Sequence, residues 1–123
     1  CGYCIDVSMG YFNILWQGDA NALSLCTLAD AESPARRINV TGAEILKTRE
    51  VCETFGELMD KSVLFTGTES QDALLNDASW AMDRYGAPMV NAERLIQWIA
   101  HWILSDGSTL AKPTHFEVRD GVY

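Results

Sequence analysis

Short extended segments alternate with helix-length amphipathic segments along this chain, and that alternation restricts its fold more than any other feature of the sequence. β-Branched and aromatic residues mark the extended segments, which are predicted at 1–15 (with a break at Met9-Gly10), 37–41, 63–66 and 115–119. Four helices are predicted, at about 19–31, at about 48–60, from a cap at Asn76 or Asp77 to Gly86, and from a cap at Asn91 to Gly107. Because strands and helices alternate, the sequence predicts a small α/β domain of about four helices and three to five short strands.

Each predicted helix has one face on which apolar residues recur at intervals of three and four. The second helix, for which Thr48 is the candidate N-cap, has the clearest pattern. The faces predicted to be buried consist of Ala22, Leu25, Cys26 and Ala29 in the first helix, Val51, Phe55, Leu58 and Met59 in the second, Ala78, Ala81, Met82 and Tyr85 in the third, and Leu95, Ile99, Trp102 and Ile103 in the fourth.

The composition agrees with a single domain over residues 1–123 and disfavours two classes of partner. Hydrophobic residues make up 48% and charged residues 21% of the chain, as in ordinary globular proteins. The net charge of −8 disfavours nucleic acids and anionic membranes, since both attract basic proteins. No apolar run reaches the roughly 18 residues of a membrane span, and the start does not resemble a secretion signal. A cytoplasmic setting is therefore expected.

Several short motifs follow one another in an order that is typical of a known family. They are, in order, Asp19 at a helix start, Ile38-Asn39-Val40-Thr41-Gly42, Thr48 and Glu50 in the first turn of the next helix, Tyr85-Gly86-Ala87-Pro88, and Trp98 with Trp102. In this order and spacing, over nearly all of its length, the chain resembles the substrate-side C-terminal part of the NAD-dependent epimerase/dehydratase family, the extended short-chain dehydrogenases/reductases.

The resemblance implies an activity for which these residues are incomplete. That family binds its dinucleotide through a glycine-rich turn and carries out acid–base chemistry with a Tyr-x-x-x-Lys pair, both in a preceding Rossmann domain. Neither motif occurs here. The chain is therefore interpreted as a C-terminal fragment without catalytic residues, cofactor-binding residues or a cofactor of its own. For the full-length enzyme the resemblance implies NAD(P), a nucleotide-sugar or related substrate, and the missing Rossmann domain as partner.

The segment before the first helix is the strongest candidate for substrate contact. Residues 11–17 combine aromatic and amide side chains, a composition that suits a sugar or a nucleotide base. In the family that the chain resembles, the corresponding segment lies near the substrate cleft. Asn13, Trp16 and Gln17 are therefore the candidate substrate-binding residues, and the alternative is a strand-to-helix junction with Trp16 in the core. Asp19 is interpreted as a helix-start residue that suits the helix dipole.

The cysteines and histidines give weaker signals. Cys1 and Cys4 have the C-x-x-C spacing of a zinc half-site or a redox pair, but no second paired spacing accompanies it. Coincidence is the favoured interpretation, and no metal site is assigned. Cys26 and Cys52 are expected in the core. The two histidines are expected on a helix surface and in the tail, without an assigned role.

Two functions from different classes follow from these observations. The first is the substrate-binding C-terminal part of an NAD-dependent epimerase/dehydratase-like oxidoreductase, not catalytic alone. The second is a stand-alone, non-catalytic binding or oligomerisation domain derived from that lobe. Trp98 and Trp102 are expected in the core, with a docking surface as the alternative. A lobe separated from its Rossmann partner would expose apolar area, so self-association is also expected.

Overall fold

The structure, a computed structural model, describes residues 3–71 and 73–112. The strands are β1 (Tyr3–Asp6), β2 (Tyr11–Phe12), β3 (Leu46–Lys47), β4 (Val63–Thr66) and β5 (Ala73–Leu74). The helices are α1 (Gln17–Thr27), α2 (Thr48–Met59), α3 (Ser79–Tyr85) and α4 (Ala92–Leu104), with a 3₁₀ turn at Leu28–Asp30. The predicted small α/β fold is confirmed, while the edge strand predicted at 115–119 lies outside the described residues.

Strands β1 and β4 form a parallel pair although they are far apart in sequence. Tyr3 lies opposite Val63 and Asp6 opposite Thr66, and the Val7 N–H extends the ladder by donating to the Thr66 carbonyl at 3.0 Å. Parallel strands need a crossover connection, and α2 forms its last part. Val7, only 1% exposed, is the largest fully buried side chain among the described residues. The strand predicted at 63–66 is confirmed.

Strand β2 is the centre of a separate three-stranded sheet. It runs antiparallel to β3, with Tyr11 opposite Lys47, and parallel to β5, with Phe12 opposite Leu74. The predicted break at 9–10 is confirmed, because β1 ends before it and β2 begins directly after it. The first extended segment therefore contributes one strand to each sheet.

Helix α1 lies where the sequence predicts a helix, but a different face of it is buried. It begins at Gln17, two residues before the predicted start, and its α-helical part ends at Thr27. Asp19 and Leu23 are buried, whereas every residue of the face predicted to be buried is exposed, namely Ala22, Leu25, Cys26 and Ala29. The orientation follows from the Asp19 carboxylate, which accepts a hydrogen bond from the Val90 N–H and turns the Asp19–Leu23 side inward.

The strand predicted at 37–41 is wrong, because these residues belong to an irregular stretch that continues to 45. Their β-branched content favours an extended backbone, but the segment crosses the chain after β2 instead of running beside a strand. The crossing is at Gly42, where an added Cβ would lie 2.0 Å from the Ile14 carbonyl oxygen. Only glycine permits two backbones to approach this closely.

Helix α2 starts one residue away from the predicted cap. Lys47 occupies the N-cap position and Thr48 is the first helical residue. The Thr48 hydroxyl instead donates to the Met9 carbonyl, so its side chain holds the bend between β1 and β2. On the predicted buried face, Val51, Phe55 and Met59 are half-buried, but Leu58 is exposed.

The signals at the ends of α3 and α4 are confirmed in part. The predicted N-cap of α3 at Asn76 or Asp77 is wrong, because Ala78 occupies that position, although the Asp77 carboxylate accepts a hydrogen bond from the Ser79 N–H at 2.9 Å. The predicted end of α3 at Gly86 is confirmed: the helix ends at Tyr85, and Gly86 follows with a φ of 95° that favours glycine. The Asn91 side chain accepts from the Arg94 N–H at 3.0 Å, which confirms the predicted cap of α4.

The buried face of α4 is not the predicted one. Ala92, Ile96 and Ala100 are buried, and the two alanines let α4 lie close to α2. Most of the bulky residues that had marked the predicted face are exposed, at 39% for Ile99, 54% for Trp102 and 52% for Ile103, and Trp98 beside them is also exposed. The prediction that the two tryptophans lie in the core is therefore wrong. None of the helices in the described part of the chain is long and apolar enough to cross a membrane.

Candidate functional site

A cavity of about 640 Å³ opens beside Asn13, directly after β2. Residues between 42 and 45 form one wall and residues between 75 and 83 form the other, and the lining is mostly apolar. Its volume lies within the range of about 300–1,000 Å³ that is typical of small-molecule sites. We call it the Asn13 cavity, and it is the part of the predicted site that has the shape of a binding pocket.

The Asn13 side chain joins the two walls of this cavity. Its Nδ2 donates to the Asn76 carbonyl at 2.8 Å and to the Gly42 carbonyl at 3.4 Å, and its Oδ1 accepts from the Asn76 N–H at 3.3 Å. Both amide donors are thus engaged, while the carbonyl oxygen of the side chain has a second lone pair. Asn13 fixes the cavity, and one acceptor site is left for a ligand.

Trp16 and Gln17 lie away from the Asn13 cavity. Neither lines it: Gln17 is the exposed first residue of α1, and the ring of Trp16 stands edge-on to Trp98 of α4, with 5.6 Å between centroids. Trp16 is 38% exposed, so it is not the core residue of the alternative interpretation. The three predicted residues are therefore not brought together in one pocket, and substrate contact by any of them stays a prediction.

Two carboxylates, that of the buried Asp19 and that of the exposed Glu44, hold the loop before α4 against the rest of this region. Asp19 accepts from the Val90 N–H at 3.0 Å, and Glu44 accepts from the Ala92 N–H at 2.8 Å. Both carboxylates lie at or near the N-terminus of α4, where the helix dipole favours negative charge. The sequence analysis had placed Asp19 at a helix start, which is confirmed, but had assigned neither Asp19 nor Glu44 to α4.

A charged pair lies at the first turn of α2. The Arg49 guanidinium sits over the Phe65 ring, 4.2 Å from its centroid, and forms an ion pair with Glu69. The hydrogen bond from Arg49 holds the pKa of the Glu69 carboxyl below its ordinary value. Because Arg49 is already paired, an anionic ligand at this place would have to compete with Glu69.

The cysteines correct one prediction and leave another untested. Cys26, expected in the core, is exposed, and Cys52 is half-buried. Burial raises the pKa of the Cys52 thiol above its ordinary value, so the thiol form is favoured. Cys1 lies outside the described residues, and Cys4 is exposed. In the described part of the chain no group of three or more His, Cys, Asp and Glu side chains is arranged to hold a metal ion.

A second cavity is an apolar groove between the parallel strand pair and the helices α2 and α4. Its volume is about 680 Å³. We call it the open groove, and its apolar lining includes Ile5, Phe55, Met59, Val63, Ile99 and Ile103. Exposed apolar grooves of this kind are typical of surfaces that another protein or domain covers.

Comparison with known proteins gives a structural likeness. No protein-family model matches the chain, and neither does any curated protein. Among solved structures, the chain is similar to UDP-glucuronic acid 4-epimerase from Bacillus cereus in complex with NAD, with a TM-score of 0.63 and 15% sequence identity. The match covers 83% of this chain and 34% of the epimerase chain, so this chain spans about a third of that enzyme. The likeness shows that this fold is similar to part of an NAD-dependent epimerase.

Proposed function

We propose that this chain is the substrate-binding C-terminal part of an NAD-dependent epimerase/dehydratase-like oxidoreductase that acts in the cytoplasm. A preceding Rossmann domain would supply the NAD(P) site and the acid–base pair. The observation that carries this proposal is the fold likeness, which takes in 83% of this chain but only 34% of the epimerase chain. A unit that matches one third of an enzyme is expected to work together with the remainder.

The open groove supports the same proposal. Both faces of a parallel sheet are almost always covered by other elements, usually helices. Two strands alone bury too little apolar surface to be stable by themselves. Here β1 and β4 form such a pair, and the groove beside them is apolar. A Rossmann-type domain before β1 would both extend the parallel sheet and cover Ile99 and Ile103. The proposal therefore assigns the open groove to contact between domains.

The proposed substrate is a nucleotide sugar or a related molecule. The Asn13 cavity has the volume for part of such a ligand, and the second lone pair of Asn13 Oδ1 could accept from a sugar hydroxyl. Trp16 and Gln17 would contact the substrate at the edge of the lobe, where both are exposed. No catalytic role is assigned to any residue of this chain.

The first experiment is to read the coding sequence upstream of Cys1 in the source DNA and to express the longer product. We expect a glycine-rich strand–turn–helix and a Tyr-x-x-x-Lys in that frame, NAD(P) binding by the longer protein, and epimerisation or oxidation of a nucleotide sugar. An in-frame stop directly upstream, or a longer protein that binds no dinucleotide, would contradict the proposal.

A second experiment tests the groove itself. The preceding domain is expressed separately and added to chain 1–123, and association is measured by calorimetry. Ile103→Glu should abolish association, because it places a charge in the open groove. The matched control is Leu25→Glu, which changes an apolar residue that is 69% exposed on α1, outside the groove. Equal association of both variants would show that the groove is not the contact surface.

The exposed tryptophans favour one alternative function, a stand-alone oligomerisation domain. Trp98 and Trp102 are 44% and 54% exposed, and in sequence they are next to Ile99 and Ile103, which line the open groove. A second copy of the chain could cover them. Light scattering distinguishes the two functions: a stable dimer that has no affinity for nucleotide sugars favours the alternative, whereas a monomer that binds the preceding domain favours the proposed function.

A further inference from the structure

A second aromatic surface, on α3, lies apart from the residues of the proposed function. Trp80 is 41% exposed. The Arg36 guanidinium lies over its ring, 4.9 Å from the centroid, and Tyr85 stands edge-on to it, at 5.8 Å and 84°. Exposed tryptophans that are held in this way are typical of recognition surfaces, because a rigid aromatic ring loses little entropy when a ligand binds.

Ion pairs and hydrogen bonds fix both neighbours of Trp80. The Glu32 carboxylate pairs with Arg36 at 2.8 Å. The Tyr85 hydroxyl donates to the Asp30 carboxylate at 2.6 Å, and Asp30 also binds Arg84 at 2.8 Å. These contacts place Arg36 and Tyr85 against Trp80 without a ligand.

Beside Trp80 lies a cavity of about 410 Å³, which we call the Trp80 cavity. Its polar lining residues are Arg36, Arg37, Asn39 and Asp77. Arg37 is exposed and forms no ion pair with any residue that the structure describes. The chain has a net charge of −8, so most of its charged side chains are acidic. An unpaired guanidinium beside an aromatic ring therefore differs from the rest of the surface and favours an anionic ligand.

We propose that the Trp80 cavity binds a monocarboxylate with an aromatic or apolar body. The planar fork of Arg37 matches a carboxylate in bidentate geometry. The part of the Trp80 ring that Arg36 and Tyr85 leave exposed provides the apolar surface for the body of the ligand, and the Asn39 amide can bond a polar group on it. This inference does not depend on the proposed function, because the two cavities are separate. Among their lining residues, the Trp80 cavity and the Asn13 cavity have only Asp77 in common.

Asp77 explains why a monoanion fits better than a phosphate. Its carboxylate accepts the Ser79 N–H, and the backbone hydrogen bond from Ser79 holds the pKa of Asp77 below its ordinary value. The carboxylate is therefore ionised at neutral pH, and Asp77 lines the same cavity as Arg37. One positive and one negative group tolerate a single ligand charge, whereas a second ligand charge would be repelled by Asp77.

The test is a titration with phenylacetate, followed by NMR through the indole N–H of Trp80, which is assigned with Trp80→Phe. We expect a saturable shift, and an affinity that falls about tenfold or more in Arg37→Gln. The matched control Arg94→Gln changes an exposed arginine of α4 outside the cavity and should leave the affinity unchanged. Benzyl alcohol, which lacks the charge, and phenyl phosphate, which carries a second charge, should both bind more weakly.

Four results would overturn the proposal. No saturable shift up to about 10 mM phenylacetate would show that the cavity does not bind this class of ligand. Equal losses in Arg37→Gln and Arg94→Gln would show that only net charge matters. Binding of benzyl alcohol as tight as that of phenylacetate would remove the role of Arg37. Tighter binding of phenyl phosphate would contradict the role of Asp77.

Discussion

Two regions of this chain are held together by different interactions. Around β2, side chains reach across the sequence to backbone groups: Asn13 binds the backbone at Gly42 and Asn76, Asp19 binds at Val90, and Glu44 binds at Ala92. Around β1 and β4, the strands share a backbone ladder, and the apolar side chains beside them line the open groove. We call the first the latched region.

The two regions differ in how far their own residues satisfy hydrogen bonds and bury apolar side chains. Within the described residues, every buried side-chain nitrogen and oxygen has a hydrogen-bond partner. The buried polar side chains of the latched region are therefore satisfied by groups of the chain itself. The open groove, in contrast, leaves Ile99 and Ile103 exposed to a considerable extent. Covering these side chains would be favourable, because it would remove apolar surface from water.

The largest expected effect separates the two faces of α4. Ile96 is 7% exposed and Ile103 is 52% exposed. We expect Ile96→Ala to lower the free energy of unfolding by about 3 kcal/mol through the cavity it leaves. Ile103→Ala should cost less than about 1 kcal/mol, because alanine also has the higher helix propensity. Urea denaturation measures both, and equal losses would mean that the groove is already closed in solution.

The next effect tests the backbone crossing of the latched region. Gly42→Ala places a Cβ 2.0 Å from the Ile14 carbonyl oxygen, and we expect a loss of between about 2 and 3 kcal/mol as the two backbones separate. Gly86→Ala is the contrasting variant: its Cβ would contact nothing within 4 Å, so any loss, on the order of 1 kcal/mol or more, comes from the backbone conformation of φ 95° and ψ 161° alone. Thermal unfolding of both variants measures the two losses. A larger loss in Gly86→Ala than in Gly42→Ala would mean that the two backbones at the crossing separate at little cost.

A smaller effect tests the polar ties. Asp19→Leu leaves the Val90 N–H without its acceptor, which should cost about 1.5 kcal/mol. Asp19→Asn retains an acceptor oxygen and should lose less. Asp83→Leu, on the exposed side of α3, serves as control. If Asp19→Leu were as stable as the unchanged chain in urea denaturation, the latched region would depend on apolar packing instead of polar ties.

These contrasts also show which parts of the fold were predictable. The cap of α4 at Asn91, the end of α3 at Gly86 and the strand at 63–66 were predicted correctly, because residues next to each other in the sequence determine them. The buried face of α1 was not, because the Val90 N–H that orients it lies 71 positions from Asp19. The loop at 37–41 has the composition of a strand, but it is irregular and leads into the backbone crossing at Gly42.

The candidate site shows the same division. The segment 11–17 was selected from its composition, and Asn13 does line a cavity. The partner of Asn13 at Asn76 lies 63 positions away, so its structural role was not visible locally. Glu44 was missed because a single glutamate in a loop gives no sign that it caps a distant helix. The assignment of Trp16 and Gln17 to substrate contact stays a prediction.

The smallest expected effect concerns a polar tie at the surface. Hydrogen bonds from Arg84 and Tyr85 hold the pKa of the Asp30 carboxyl below its ordinary value of 3.8. A lowered pKa in the folded state means that the carboxylate stabilises the fold above pH 3.8, and that this contribution is lost as the pH falls through the folded-state pKa. We therefore expect the stability of Asp30→Asn to fall less steeply with acid than that of the unchanged chain.

Urea midpoints at neutral pH and at about pH 3 measure this difference, with Asp83→Asn as the control. Because Asp30 and Arg84 are close to solvent, added salt should reduce the difference further. If Asp30→Asn and the unchanged chain lost stability identically with acid, the hydrogen bonds of the exposed Asp30 carboxylate would contribute nothing measurable. The contribution to stability would then be confined to buried carboxylates such as that of Asp19.

The long sequence separation of these ties affects the order of events during synthesis. A ribosome adds about 5–20 residues per second, so Asn13 waits for several seconds before Asn76, 63 positions later, has been made. Val90 follows Asp19 after a still longer delay. Such high contact order slows folding, since large loops must close before any contact forms. The nascent chain therefore acquires these side-chain contacts late, after the segments around Asn76 and Val90 have been made.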